Sequence, residues 1–211
     1  MKIIKGGICA AKGFFASATE ANIKYKNRTD MAMIFSKKPA IAAGVYTTNL
    51  IKAAPVLWDK KITDSDNFVN AIIINSGIAN ACTKDMGMEC CKQSAIKAAS
   101  ELGVNENSIL IASTGVIGWQ LPIDKICKGI EALSKSLKQS ERNASEAAMA
   151  IMTTDTVSKE IAIEFEIGGK IVRMGAMCKG SGMIHPNMCT MLGFITTDIN
   201  ISKKLFIILK Q

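Results

Sequence analysis

Apolar and polar positions along the chain switch between a period of two and a helical period, and the switches mark its elements. Residues 31–36 (MAMIFS) and 40–47 (AIAAGVYT) read as two strands separated by a turn around Lys38-Pro39. Residues 70–75 (NAIIIN) are a run of branched apolar side chains with no polar face, which predicts a central strand buried on both sides. It stops at the turn signal Asn75-Ser76-Gly77. Apolar Met86, Cys90, Ala95, Ala98 and Leu102, set among Lys and Glu, predict a helix over 86–102 that Gly103 ends. The pattern then repeats in kind. Residues 108–113 (SILIAS) are a second buried strand, ending at Thr114-Gly115. Pro122 opens a helix to about Leu137 with Ile123, Ile126, Ile130 and Leu133 on one face. A short alanine-rich helix follows over Ala144–Met152. Residues 160–174 alternate around Gly168-Gly169 as a β-hairpin, and residues 191–197 (MLGFITT) read as another buried strand. The class is α/β or α+β, with layered mixed sheets and flanking helices. No linker, low-complexity segment or fixed-period repeat interrupts it.

Composition narrows the classes. A chain of 211 residues is one large domain or two small ones, long enough to bury about 70% of its unfolded surface without staples. Aromatics are only 5%, so the core must be aliphatic. No apolar run approaches the ~18 residues of a membrane span, and Lys2, Lys5 and Lys12 interrupt any secretory h-region. The net charge of +8 comes from lysines scattered singly without interleaved aromatics. That disfavours nucleic acid and suits a basic surface that attracts small acids. Seven cysteines with no C-x-x-C and no leader fit free thiols in a reducing cytoplasm. His185 is the only histidine, which leaves a histidine-based zinc site without ligands and a Ser-His-Asp triad with one candidate base.

Four segments can carry chemistry. Residues 75–82 (NSGIANAC) join a buried strand to a helix; they are either a tight turn or a backbone that a ligand approaches closely. Ser113-Thr114-Gly115 is either a loop start or a hydroxyl and N–H pair for a developing oxyanion. Residues 152–156 (MTTDT) put three hydroxyls and a carboxylate after a helix, to cap turns or to meet a polar ligand. In KGSGMIHPNMCTML (179–192), Lys179 beside two glycines suits an anionic group, although the P-loop pattern is absent. Cys178 and Cys189 read as small core hydrophobes, and His185 before Pro186 as a loop histidine.

Taken together these segments resemble one family. KGSGMIHPNMCTMLGFITTD at 179–198 is similar to the autoprocessing segment of the ornithine acetyltransferase (glutamate N-acetyltransferase) family of arginine biosynthesis. GGICAAKGF (6–14), AIAAGVYTTNLIKAAPV (40–56), NSGIANACT (75–83), STGVIG (113–118) and AIMTTDT (150–156) match it in the family's order. The resemblance implies an ornithine acetyltransferase-like self-processing fold and a multifunctional acyltransferase that cleaves itself between Cys189 and Thr190. The freed Thr190 takes acetyl from N-acetylornithine and passes it to glutamate. The family's oxyanion-hole pair falls on Thr114 and Gly115, and substrate-binding positions fall on Thr153, Lys179 and Thr190. The chemistry is coherent: a mid-chain threonine lacks a base, and cleavage supplies an α-amine with a pKa of roughly 8. No metal or cofactor is implied, with acetyl-CoA a co-substrate in bifunctional relatives.

The sequence departs from the family at Cys178 and Cys189, both usually Ala, at Ile78, usually Asn, and at Lys84, usually Gly. By the same resemblance, 1–189 is an α-chain-like domain and 190–211 the start of a β-chain whose remainder lies outside the sequence. Partners would be the small-molecule substrates and the β-chain half, in a cytoplasmic heterotetramer of two α and two β chains, without nucleic acid or membrane. The rival readings are an inactive remnant or binding protein of the family, and a related self-cleaving aminopeptidase or amidase.

Overall fold

The computed structural model describes residues 1–180 and 191–202. In chain order its elements are β1 (Lys2–Ile4), a 3-10 turn (Gly7–Cys9), β2 (Phe14–Thr19), β3 (Met31–Ala40), α1 (Ala54–Thr63), β4 (Val69–Ile78) and α2 (Lys84–Leu102). There follow β5 (Ile109–Val116), α3 (Ile123–Ser136), α4 (Glu141–Ala150), β6 (Lys159–Ile167), β7 (Lys170–Lys179) and β8 (Leu192–Thr197). They build two four-stranded sheets, ordered β2-β3-β4-β5 and β1-β6-β7-β8. The first is mixed: β4 and β5 are parallel, joined through α2, and the other pairs are antiparallel. The second is antiparallel throughout.

The first sheet is buried on both faces, and its sequence shows it. On β3, Met31 and Met33 enter one core while Ala32 and Ile34 enter the other. On β4, Ala71 and Ile73 face the first core and Ile74 the second. The first core is closed by α2 and α3, through Cys91, Ala95 and Ala98 on one helix and Ile126, Ile130 and Leu133 on the other. The second is closed by α4 and the 3-10 turn, with Met177 of β7 entering from the other sheet. The layers are therefore helices, mixed sheet, α4, antiparallel sheet.

Local chemistry sets the ends. Gly103 takes φ +66° as the left-handed cap of α2, and the Ser140 hydroxyl accepts the Asn143 N–H at the start of α4. The free edge of β5 is closed by α1: Trp58 Nε1 donates to the Ile109 carbonyl at 3.0 Å, and the Asp59 carboxylate accepts the Ile111 N–H at 2.8 Å.

Three expectations are corrected. Residues 41–49 form no strand; β3 instead runs on to Ala40 through Pro39, where a register irregularity between Phe35 and Ala40 spares proline a ladder donor. β4 and β5 do not stop at Asn75 and Ser113 but continue to Ile78 and Val116. β8 is an edge strand with Ile195 exposed, not a buried one. β1, β2 and α1 carry too weak an apolar period to be read from sequence.

Candidate active site

The ends of β4 and β5 form one wall. Ser76 pairs with Thr114 and Gly77 with Gly115 in the parallel ladder. Gly115 has φ +135°, and a Cβ there would run into the Gly77 carbonyl and lie 2.6 Å from the Ile78 nitrogen. Only glycine fits that backbone approach. Thr114 is buried, and its Oγ1 has no hydrogen-bond partner among the described residues. A buried hydroxyl in that state costs roughly 1–3 kcal/mol relative to a paired one.

The polar groups of 75–83 are consumed by the fold. Asn75 Nδ2 donates to the Ile78 carbonyl (2.9 Å), and its Oδ1 accepts the Ser113 hydroxyl (2.6 Å). Asn80 Nδ2 donates to the Gly87 carbonyl (2.9 Å), and its Oδ1 accepts the Thr83 hydroxyl (2.8 Å). Of the two alternatives for this segment, the tight turn fits. Ile78 is buried in the first core, and Lys84 adopts φ +53°, a left-handed conformation that a glycine takes without strain.

The other described candidates lie on the loop after α4 and at the end of β7. Ser76 ties β4 to the start of that loop, donating its hydroxyl to the Ala150 carbonyl at 2.8 Å. Two residues further on, Arg28 Nη2 donates to the Met152 carbonyl (2.5 Å) and the Thr153 carbonyl (3.3 Å). The loop carrying Arg28 is tied down by Asp30. Its carboxylate accepts the Ala21 and Ile23 N–H groups at 2.7 Å each, and its carbonyl accepts the Ser76 N–H at 2.8 Å. Arg28, Met152, Thr153 and Asp155 line an open cleft of about 440 Å³.

Lys179 ends β7 and is 2% exposed. Its ammonium donates to the Gly180 carbonyl at 2.6 Å. Burial holds the Lys179 ammonium below the ordinary lysine range; the Asp155 carboxylate works against that shift and the Lys159 charge works with it. Asp155 accepts the Gly180 N–H (2.9 Å) and the Lys159 ammonium (2.7 Å) on Oδ1, and the Thr153 N–H (3.5 Å) on Oδ2. Burial alone would raise the Asp155 carboxyl, but the Lys159 hydrogen bond and the Gly180 and Thr153 N–H groups outweigh it, leaving it below the ordinary value.

Of the residues singled out from sequence, Thr114 and Gly115 therefore share one wall, and Thr153 and Lys179 are held together through Asp155. His185, Cys189 and Thr190 lie outside the described residues. Arg28 and Ser76 were missed as organisers. Their partners are backbone carbonyls 124 and 74 positions away, which no local spacing reveals. Among the described residues no group of His, Cys, Asp and Glu is arranged to hold a metal, and no helix is long and apolar enough to cross a membrane.

Comparison with known proteins agrees over nearly the whole chain. The ArgJ family profile matches residues 15–210. The arginine biosynthesis bifunctional protein ArgJ of Lactococcus lactis is 49% identical over 205 residues, 97% of this chain and 50% of the relative. That of Symbiobacterium thermophilum is 48% identical over 200 residues, 94% of this chain and 49% of the relative. The chain thus spans about half the length of these relatives. A crystal structure of the Bacillus halodurans arginine biosynthesis bifunctional protein argJ superposes with a TM-score of 0.82 at 37% identity, covering 88% of this chain and 97% of that one. A Mycobacterium tuberculosis ornithine acetyltransferase complexed with ornithine gives 0.81 at 36% identity, with the same coverage.

Proposed function

The chain belongs to the ArgJ family, and on that premise we propose that it acts in acetyl transfer from N-acetylornithine to glutamate through an acetyl-threonine ester on Thr190. The observation that carries the reading is Thr114. Its buried hydroxyl, without a hydrogen-bond partner among the described residues, stands next to Gly115 as a donor for a charge that develops only during reaction.

The steps balance as follows. Thr190 Oγ attacks the Cys189 carbonyl, the peptide nitrogen leaves as the new α-amine, and water hydrolyses the ester, giving chains 1–189 and 190–211. The α-amine then takes the Thr190 hydroxyl proton as Oγ attacks the acetyl carbonyl of N-acetylornithine. Thr114 Oγ and the Gly115 N–H receive the tetrahedral oxyanion. Ornithine leaves with the proton, the glutamate amine attacks the ester, and N-acetylglutamate departs while Thr190 recovers its hydroxyl. Lys179 and Thr153 hold the substrate, the ammonium facing a carboxylate. The solved relatives are matched over 97% of their chains, whereas the curated relatives are matched over about half. That contrast supports a division of the longer sequences near the end of this one, and with it an assembly of α and β chains. The six described cysteines are free thiols, in keeping with work in the cytoplasm.

Intact-mass spectrometry tests the first step. The purified protein, alone and co-expressed with the C-terminal half of the Lactococcus lactis relative, should yield fragments 1–189 and 190–211, and Thr190→Ala should not. Cleavage that survives Thr190→Ala removes Thr190 as the nucleophile.

A further inference from the structure

Asp155 lies in the loop between α4 and β6, and its side chain is 4% exposed. One carboxylate there gathers donors from three segments: the Thr153 N–H of its own loop, the Lys159 ammonium at the start of β6, and the Gly180 N–H just beyond β7. Lys179 holds the same residue through the Gly180 carbonyl. The Gly180 residue is thus fixed at both its polar groups, one by an anion and one by a cation. The 2.7 and 2.9 Å bonds hold Asp155 and Gly180 together, and the 2.6 Å bond ties the Lys179 ammonium to the same Gly180.

We propose that Asp155 is a positioning residue: it fastens the Thr153 loop to the end of β7 and, through the Gly180 residue that both side chains hold, sets its negative charge beside the buried Lys179 ammonium, the group that would meet a substrate carboxylate. The substrate-facing part rests on the acetyl-transfer reading; the fastening and the charge do not. Among the described residues, Asp155 from the loop favours the Lys179 ammonium and Lys159 from β6 opposes it. On β8 the ladder partner is Leu192, which carries no charge. A residue that merely caps a turn would leave the charge of Lys179 alone. One that supplies its counter-charge makes that charge respond with opposite sign to changes at 155 and at 159.

The experiment is a pH titration of the lysine side-chain nitrogens by 15N NMR on the 211-residue chain, with the Lys179 signal assigned by its loss in Lys179→Arg. Asp155→Asn keeps an acceptor for the Gly180 N–H, so the fold should hold, and the Lys179 midpoint should fall by about one pH unit or more. Lys159→Gln should raise it. If Asp155→Asn does not fold, Asp155→Ser, which is smaller and also uncharged, is read in its place, and a Lys179 midpoint that stays at the wild-type value overturns the proposal. In the co-expressed complex, Asp155→Asn should raise KM for N-acetylornithine about tenfold with a smaller loss in kcat, and Asp155→Glu should recover part of it. A Lys179 midpoint that does not move in the folded variants overturns the proposal. A moved midpoint in a protein that never transfers acetyl leaves Asp155 as the counter-charge and removes the acetyl-transfer reading instead.

Discussion

Gly115 faces Gly77 across the parallel β4–β5 ladder so closely that a methyl group on Gly115 would overlap the Gly77 carbonyl. The contact fixes where the Gly115 N–H and the neighbouring Thr114 hydroxyl stand, because neither strand end can move apart without breaking the ladder. Gly115→Ala meets both a φ of +135° and this overlap. It should destabilise the protein by at least about 2 kcal/mol in urea unfolding. Unfolding at the wild-type midpoint would mean that the strand ends are looser than the geometry requires.

Thr114→Val replaces a buried hydroxyl that has no partner among the described residues with a methyl group of similar size. Stability should hold or rise slightly, while cleavage and acetyl transfer slow by roughly 10²–10³. Stability and activity moving in opposite directions is the mark of a group kept for reaction. An unchanged rate would make the 113–115 segment an ordinary strand end.

The depressed Lys179 gives a pH dependence with a definite sign. On the proposed role of Lys179, its ammonium attracts a substrate carboxylate and its neutral amine does not, so binding should fade as pH climbs through a titration below the ordinary lysine value of 10.5. Lys179→Arg should remove this alkaline limb, because a guanidinium keeps its charge there. Lys179→Ala should weaken binding across the whole range. Calorimetric titration with N-acetylornithine at a series of pH values reads all three, and an alkaline limb that persists in Lys179→Arg would assign it to another group.

Much of this was legible in the sequence, for physical reasons that differ by element. The apolar run 70–75 and the period of residues 123–133 name β4 and α3 because burial on two faces and on one stripe leaves distinct patterns. The stretch 40–47 misleads because its alanines and β-branched residues have strand-like composition, while the chain there follows no ladder. β8 misleads because apolar Ile195 sits on an exposed edge. Thr114, Gly115 and Lys179 stood out by local chemistry with a bland alternative beside each, Thr153 as one of a polar cluster, and the resemblance of whole segments gave them their roles. Asp155 was visible only as one member of a polar cluster. Its partner Gly180 is 25 residues away, and only the folded chain brings the two to 2.9 Å.

Away from the site, Asp59 is a carboxylate that burial pushes well above its ordinary value, against which the single Ile111 N–H is too little. A carboxyl with a raised folded pKa contributes stability at low pH that is lost as pH rises through that pKa. Asp59→Asn keeps an acceptor for the Ile111 N–H and carries no charge to desolvate. Its melting temperature should exceed that of the wild type at pH 8 and approach it at pH 4. A variant that melts lower at pH 8 would show that the charged form is held by more than the one N–H.

If the acetyl group rests on the Thr190 hydroxyl between donor and acceptor, incubating the co-expressed, cleaved protein with N-acetylornithine, withholding glutamate, and weighing the chains will find it there. One acetyl mass should be added to the fragment that begins at Thr190, located on that residue by fragmentation and discharged when glutamate is added. A protein that cleaves itself and binds ornithine, yet never carries acetyl on Thr190 under these conditions, would contradict that route.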